Sequence, residues 1–305
     1  MPSIVSQLTK RGLIRPPTWL PDNILFEGIQ GSNAYGVAVD ESDFDMIGFC
    51  VPPKDLVFPH LAGQIEGFGR QKKRFTSWQQ HHVFDQDARG GKGRQYDFCV
   101  YNIVHFFDLA MDNNPNLIAS LFLPVECIVH NSLVGNMIRE KRHVFLHKGC
   151  WHKFKGYAYS QLSKMETKSP EAGSRRSASI EEHGYDTKFA YHLVRLLLEV
   201  EQILTTGDLD LQRNAEELKS IRRGEWTVQQ VKDFFVAKEK GLEKVYEECD
   251  ILPWGPREDE IKQLLLDCLE EHYSTLEGCV VTSMTPILAL REIAEIIDHN
   301  RKLIQ

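Results

Sequence analysis

Long apolar runs are missing from this 305-residue chain. No stretch approaches the roughly 18–20 consecutive apolar residues that a membrane-spanning helix needs. The opening residues, Met1 to Gly12, carry no apolar core of the kind a secretory leader has. Paired cysteines are missing as well. The seven cysteines (Cys50, Cys99, Cys127, Cys150, Cys249, Cys268 and Cys279) are odd in number and scattered, with no Cys-x-x-Cys spacing. That argues against both a zinc site and a disulfide framework, and points to a reducing cytoplasm. Excess positive charge is absent too: the net charge is −7, which excludes a chain coated in cations for indiscriminate nucleic-acid binding but leaves room for a local basic track. No internal repeat is visible.

What is present is concentrated between residues 31 and 48. Gly31-Ser32-Asn33-Ala34-Tyr35-Gly36 is followed by Ser42-Asp43-Phe44-Asp45-Met46-Ile47-Gly48. In a strand, residues i and i+2 point to one face, so Asp43 and Asp45 aim side by side. Two adjacent anions need compensation, and hard oxygen ligands suit Mg²⁺. Gly31 permits close backbone approach, Ser32 adds a hydroxyl, and a Gly-Ser turn offers N–H groups to phosphate. The bland alternative is an acidic hairpin. Tyr35 and Gly36 read as shaping the turn rather than touching substrate.

A phosphate-binding turn so close to a metal-binding pair implies phosphoryl or nucleotidyl transfer, and two-metal nucleotidyl transfer wants a third carboxylate. Asp97 is the best candidate, because Gln95–Tyr101 alternates like a strand and Asp97 is the lone acid in it. Its alternative is an exposed residue on an edge strand. Asp85 and Asp87 are weaker candidates in loop-like surroundings. Further on, Lys188, His192 and Arg195 share a helical face by their i, i+4, i+7 spacing and could meet a triphosphate. The alternative is a solvated face with Arg195 paired to Glu199. Arg139–Lys155 interleaves Lys, Arg and His with Phe145, Trp151 and Phe154, which suits a nucleic-acid strand but more often marks a solvated helix with core aromatics.

The pattern predicts strands over Asp22–Gln30, Asp43–Val51 and Gln95–Tyr101, and a helix over Asn102–Met111. Residues His60–Gly93 have mixed character. Beyond about residue 130, helices are expected over Tyr185–Leu204, Val228–Glu248, Glu260–Tyr273 and Pro286–Leu303, with a polar loop over Lys168–Glu182. The organisation expected is α+β: a catalytic domain over residues 1–130 and a helical substrate-binding domain over 131–305.

Gly-Ser, a short spacer and Asp-x-Asp among apolar residues resemble the signature of the DNA polymerase β superfamily of nucleotidyltransferases. Further blocks extend the likeness. They are Asp97-Phe98-x-x-Tyr101, Asn114-Pro115-Asn116, Phe154-x-Gly156-Tyr157-Ala158-x-x-Gln161, Tyr185-Asp186-x-Lys188-x-Ala190-x-His192-x-x-Arg195-Leu196 and Ile221-Arg222-x-Gly224-Glu225. Running in order over most of the chain, they resemble the RNA-repair-pathway, or RNA-ligase-associated, nucleotidyltransferases. The resemblance implies a polymerase β-like core, a small mixed sheet with helices, followed by the helical region. It implies Mg²⁺ as two ions, with Mn²⁺ as an alternative, held by Asp43, Asp45 and Asp97. It implies an NTP substrate held by Gly31, Ser32, Lys188, His192 and Arg195, and RNA as acceptor. One departure stands out: Ala119-Ser120 lies where the family pattern leads one to expect an acid. The same chemistry on a small molecule or protein side chain, and a non-catalytic nucleotide or RNA sensor, remain the alternatives.

Overall fold

The computed structural model describes residues 2–40, 42–58, 60, 63–69, 73–167 and 175–274. The expected helix over Pro286–Leu303 lies outside these residues. In chain order the elements begin with α1 (Ile4–Lys10), β1 (Ile24–Gln30), β2 (Phe44–Cys50), α2 (Lys54–Val57), β3 (Ser77–Asp85), α3 (Ala88–Gly91) and β4 (Arg94–Asn102). They continue with α4 (Ile103–Met111), α5 (Pro115–Leu121), β5 (Ile128–Asn131), α6 (Leu133–Glu140), α7 (Cys150–Thr167) and α8 (Arg175–His183). The chain then forms α9 (Thr187–Thr206), α10 (Ala215–Arg222), α11 (Val228–Glu248) and α12 (Glu258–Tyr273). This is the α+β class expected: one mixed sheet of five strands, ordered β3-β4-β2-β1-β5, with helices. Among the described residues, no helix is long and apolar enough to cross a membrane.

Alternation along the strands sends side chains to two cores. Ile47 and Phe49 of β2 enter the larger core with the helices. Met46 and Cys50 of β2, with Tyr96, Phe98 and Val100 of β4, enter a smaller one closed by Val5 and Leu8 of α1. The anchor of α1 is Glu27 in β1. Its carboxylate, 1% exposed, accepts the main-chain N–H groups of Ile4 (2.7 Å) and Val5 (3.0 Å), which the first turn of a helix leaves without partners.

The larger core takes Leu25, Phe49, Phe106 and Phe107 from before residue 130, and Trp151, Leu197, Phe235 and Leu264 from after it. The far end of α12 returns to the sheet, where the Tyr273 hydroxyl donates to the Pro52 carbonyl at 2.5 Å. α9 is apolar on nearly every side and forms the spine of the helical layer. One expectation is corrected, and for a second stretch the commoner of its two readings, core aromatics, holds. The Lys168–Glu182 segment was expected as loop, yet it contains most of α8; its Ser/Arg-rich composition masks a short polar helix. The aromatics of Arg139–Lys155 lie in the core, with Phe145, Trp151 and Phe154 at 0% exposure, so they offer no surface on which a base could stack.

Candidate active site

The β1–β2 hairpin builds the first half of the site. Its connection begins at Gly31, whose φ of +64° lies in the left-handed region. The following residues close on themselves: the N–H of Gly36 donates to the Asn33 carbonyl (3.1 Å) and that of Val37 to the Ser32 carbonyl (2.9 Å). The Asn33 side-chain amide donates to the Asp43 carbonyl at 3.2 Å, which ties this turn to the start of β2. Gly31 lies so close to Asp45 that a Cβ there would overlap the Asp45 carboxylate.

The second half comes from β4. β2 and β4 pair in parallel with Asp45 opposite Asp97, so both side chains leave the same face at neighbouring positions. Asp43 precedes β2 by one residue and joins them. One carboxylate oxygen from each of Asp43, Asp45 and Asp97 lies within 4.8 Å of the others, and all three residues are half-buried. Burial and the neighbouring Asp43 and Asp97 charges push the Asp45 carboxyl up to about 6, against the pull of Lys188 and His81. Three converging carboxylates, one of them reluctant to ionise beside the others, are the donor set that fits a hard divalent cation. The structure thus brings Asp43, Asp45 and Asp97 together, with Gly31 and Ser32 beside them.

The helical candidates separate. Lys188, in the first turn of α9, is exposed, and its charge acts on Asp45. His192 is half-buried, its ring 4.7 Å from that of Tyr191. Arg195 is enclosed at 7% exposure, with its guanidinium 4.4 Å from the Tyr35 ring centroid and 3.9 Å from Glu199 Oε1. It does not share the exposure of Lys188, because α9 is buried on nearly every side around Arg195. The weaker candidates Asp85 and Asp87 lie apart from the triad, both paired with Arg11 at 2.6 and 2.7 Å.

Sequence reasoning missed His81 and His82. The β3–β4 ladder shifts register between Gln80 and Val83, so two residues face one at Asp97. This is a β-bulge, and His82 takes a left-handed φ of +57° to make it. The His82 main-chain N–H donates to Asp97 Oδ1 at 2.6 Å, and the two imidazole Nδ1 atoms lie 3.8 and 3.9 Å from the same oxygen. A signal was available: Trp78 faces inward, yet Val83, five residues on, is inward too, so the two-residue period slips at the His-His pair.

Two comparisons with known proteins found similarity. Over 151 residues the chain is 29% identical to an uncharacterized 38.9 kDa protein in the nrdC–mobD intergenic region of Enterobacteria phage T4. The match covers 48% of this chain and 39% of that protein, so the chain spans about two fifths of the relative's length. Residues 10–272 match the family described as the RNA repair pathway DNA polymerase beta family, RlaP. With the match running across the turn, the three carboxylates and nearly all the helices, the chain belongs to the RNA repair pathway DNA polymerase beta family.

Proposed function

We propose that this protein transfers a nucleoside monophosphate from an NTP to a hydroxyl group, with an RNA end as the acceptor. The observation that carries the reading is the convergence of Asp43, Asp45 and Asp97 beside the Gly31–Gly36 turn. In the reaction the acceptor oxygen bonds to the α-phosphorus, the bond from that phosphorus to the β-bridging oxygen breaks, pyrophosphate leaves, and the hydroxyl proton passes to solvent. Asp43, Asp45 and Asp97 would hold Mg²⁺, in the two-ion arrangement, with Mn²⁺ able to replace it. Bound there, divalent cations lower the pKa of the acceptor hydroxyl and neutralise charge on the phosphates. Gly31 lets the backbone come close to phosphate, and Ser32 offers a hydroxyl. Lys188 brings a positive charge to the mouth of the site, and His192 lies one helical turn further along α9. The enzyme would work in the cytoplasm.

The test is incubation of the purified protein with Mg²⁺, each α-labelled NTP in turn, and a pool of RNA ends. Label on RNA, lost in the Asp43→Asn/Asp45→Asn variant while the fold persists, is expected. Persistent transfer in that variant sinks the mechanism.

A second reading, the same chemistry on a small molecule or a protein side chain, is favoured by two observations. The aromatics of the basic stretch Arg139–Lys155 are in the core, and the net charge is −7. Salt separates the two, because binding to an RNA strand weakens steeply as salt rises. A third reading, a non-catalytic sensor, predicts nucleotide binding without pyrophosphate release.

A further inference from the structure

Beneath the Gly31–Gly36 turn lies a polar cluster that stability alone does not explain. Arg195 and Glu199, one turn apart on α9, are 7% and 3% exposed. Tyr35, in the turn itself, is 1% exposed, and Tyr191 is 3% exposed. The Arg195 guanidinium sits over the Tyr35 ring at 4.4 Å, and the rings of Tyr35 and Tyr191 meet edge to face at 6.5 Å. Tyr35 Oη, Tyr191 Oη, Arg195 Nε and both Glu199 carboxylate oxygens have no partner in good hydrogen-bond geometry, although Tyr35 Oη lies close enough to Glu199 and Arg195 to act on both. A second arginine grips the same turn from α10: Arg222 Nη1 donates to the Val37 carbonyl at 3.1 Å, with its guanidinium 5.7 Å from the Tyr191 ring.

Burying an ion pair with so few hydrogen bonds costs folding free energy, and apolar residues of similar volume often stabilise such a site. The cluster therefore contributes something other than stability, and its location says what. Tyr35 is held by Arg195. The turn that contains Tyr35 abuts Asp45 at Gly31 and is tied to the Asp43 carbonyl through Asn33. A planar guanidinium on an aromatic ring fixes position in a way a lysine does not.

We propose that Arg195 is a positioning residue: with Glu199 it clamps Tyr35 from below and so holds the Gly31–Gly36 turn in the form that receives a triphosphate. This rests on reading that turn as the phosphate cradle. It gives Arg195 an indirect role, acting through Tyr35, in place of direct contact with the nucleotide.

The experiment compares the full-length wild type with Arg195→Met/Glu199→Leu, which replaces the pair by apolar side chains, and with Arg195→Lys, which keeps the charge but not the plane. Amide hydrogen exchange is read for residues 31–37, and binding of inorganic tripolyphosphate with Ca²⁺ is read by calorimetry. The double variant is expected to melt at or above the wild-type temperature, while amides 31–37 exchange about tenfold faster and tripolyphosphate binds about tenfold more weakly. Arg195→Lys is expected to shift both readouts in the same direction. Wild-type exchange over 31–37 in a folded double variant overturns the proposal. If the double variant does not fold, Arg195→Lys decides by the same readout. Should the wild type bind no tripolyphosphate, the phosphate-cradle reading fails, and the exchange comparison still decides whether Arg195 holds the turn.

Discussion

Gly31 and Asp45 are packed so closely that no side chain fits between them: a Cβ on Gly31 would overlap Asp45 Oδ2. The same glycine has a φ of +64°. Gly31→Ala is therefore strained twice, by its backbone and by the carboxylate it meets. We expect it to cost about 1–3 kcal/mol of stability and to lower nucleotidyl transfer roughly a hundredfold or more, the order seen when reacting groups are displaced by about 1 Å. Chemical denaturation and initial rates of label transfer check both. A Gly31→Ala protein with full activity would show that the carboxylate is free to move.

The Asp45 carboxyl titrates near 6 in the folded protein against an ordinary 3.8. The folded state therefore holds more protons than the unfolded chain between those values, and stability falls as pH rises through that window. The penalty is complete above about 6 and absent below about 4. A divalent cation reverses it, because it binds the ionised carboxylates. Added Mg²⁺ or Mn²⁺ should raise the melting temperature by several degrees at pH 7.5 and by much less at pH 4.5. Asp43→Asn should raise it at pH 7.5 without any ion, by removing one of the opposing charges. Equal shifts by the ion at both pH values would contradict this account.

The bulge makes a sharper distinction. The His82 main-chain N–H, not its ring, donates to Asp97. His82→Gly keeps that donor and relieves a left-handed strain of about 1–2 kcal/mol, offset in part by glycine's greater freedom in the unfolded chain, so stability should hold or rise slightly with transfer retained. Deleting His81 restores a regular ladder, withdraws the N–H from Asp97, and should weaken Mn²⁺ binding at least tenfold. Mn²⁺ binding followed by electron paramagnetic resonance compares the two. Loss of binding in His82→Gly would instead assign the role to the imidazole.

Away from the site, Glu27 is the joint between β1 and α1. Glu27→Leu leaves the N–H groups of Ile4 and Val5 buried without an acceptor, and should cost about 2–4 kcal/mol. Transfer per folded molecule should hardly change. Urea denaturation gives the first quantity and active-site-normalised rates the second.

The three carboxylates were legible in the sequence for two different reasons: Asp43 and Asp45 by their i, i+2 spacing after the Gly-Ser turn, and Asp97 because β4 keeps a clean two-residue period. Apolar Tyr96, Phe98 and Val100 mark one face of β4, which makes Asp97 on the other face conspicuous. β3 was not legible, since its period slips at His81-His82 and it follows a basic, irregular stretch. Helical spacing grouped Lys188, His192 and Arg195 correctly around the axis of α9. It carried no information about depth along that axis, and depth is what leaves Lys188 exposed and encloses Arg195. The polar helix α8 escaped for the opposite reason: it buries too little apolar surface to show a period.

The larger core ignores residue 130. Phe106 and Phe107 come from one side of it, Trp151 and Leu197 from the other, and α12 reaches back to Pro52. A fragment ending at that point would keep every carboxylate of the site and yet present its aromatic wall to water. Such a fragment is expected to clump rather than act as a minimal enzyme. A shortened version that leaves this core closed must therefore keep the long helices.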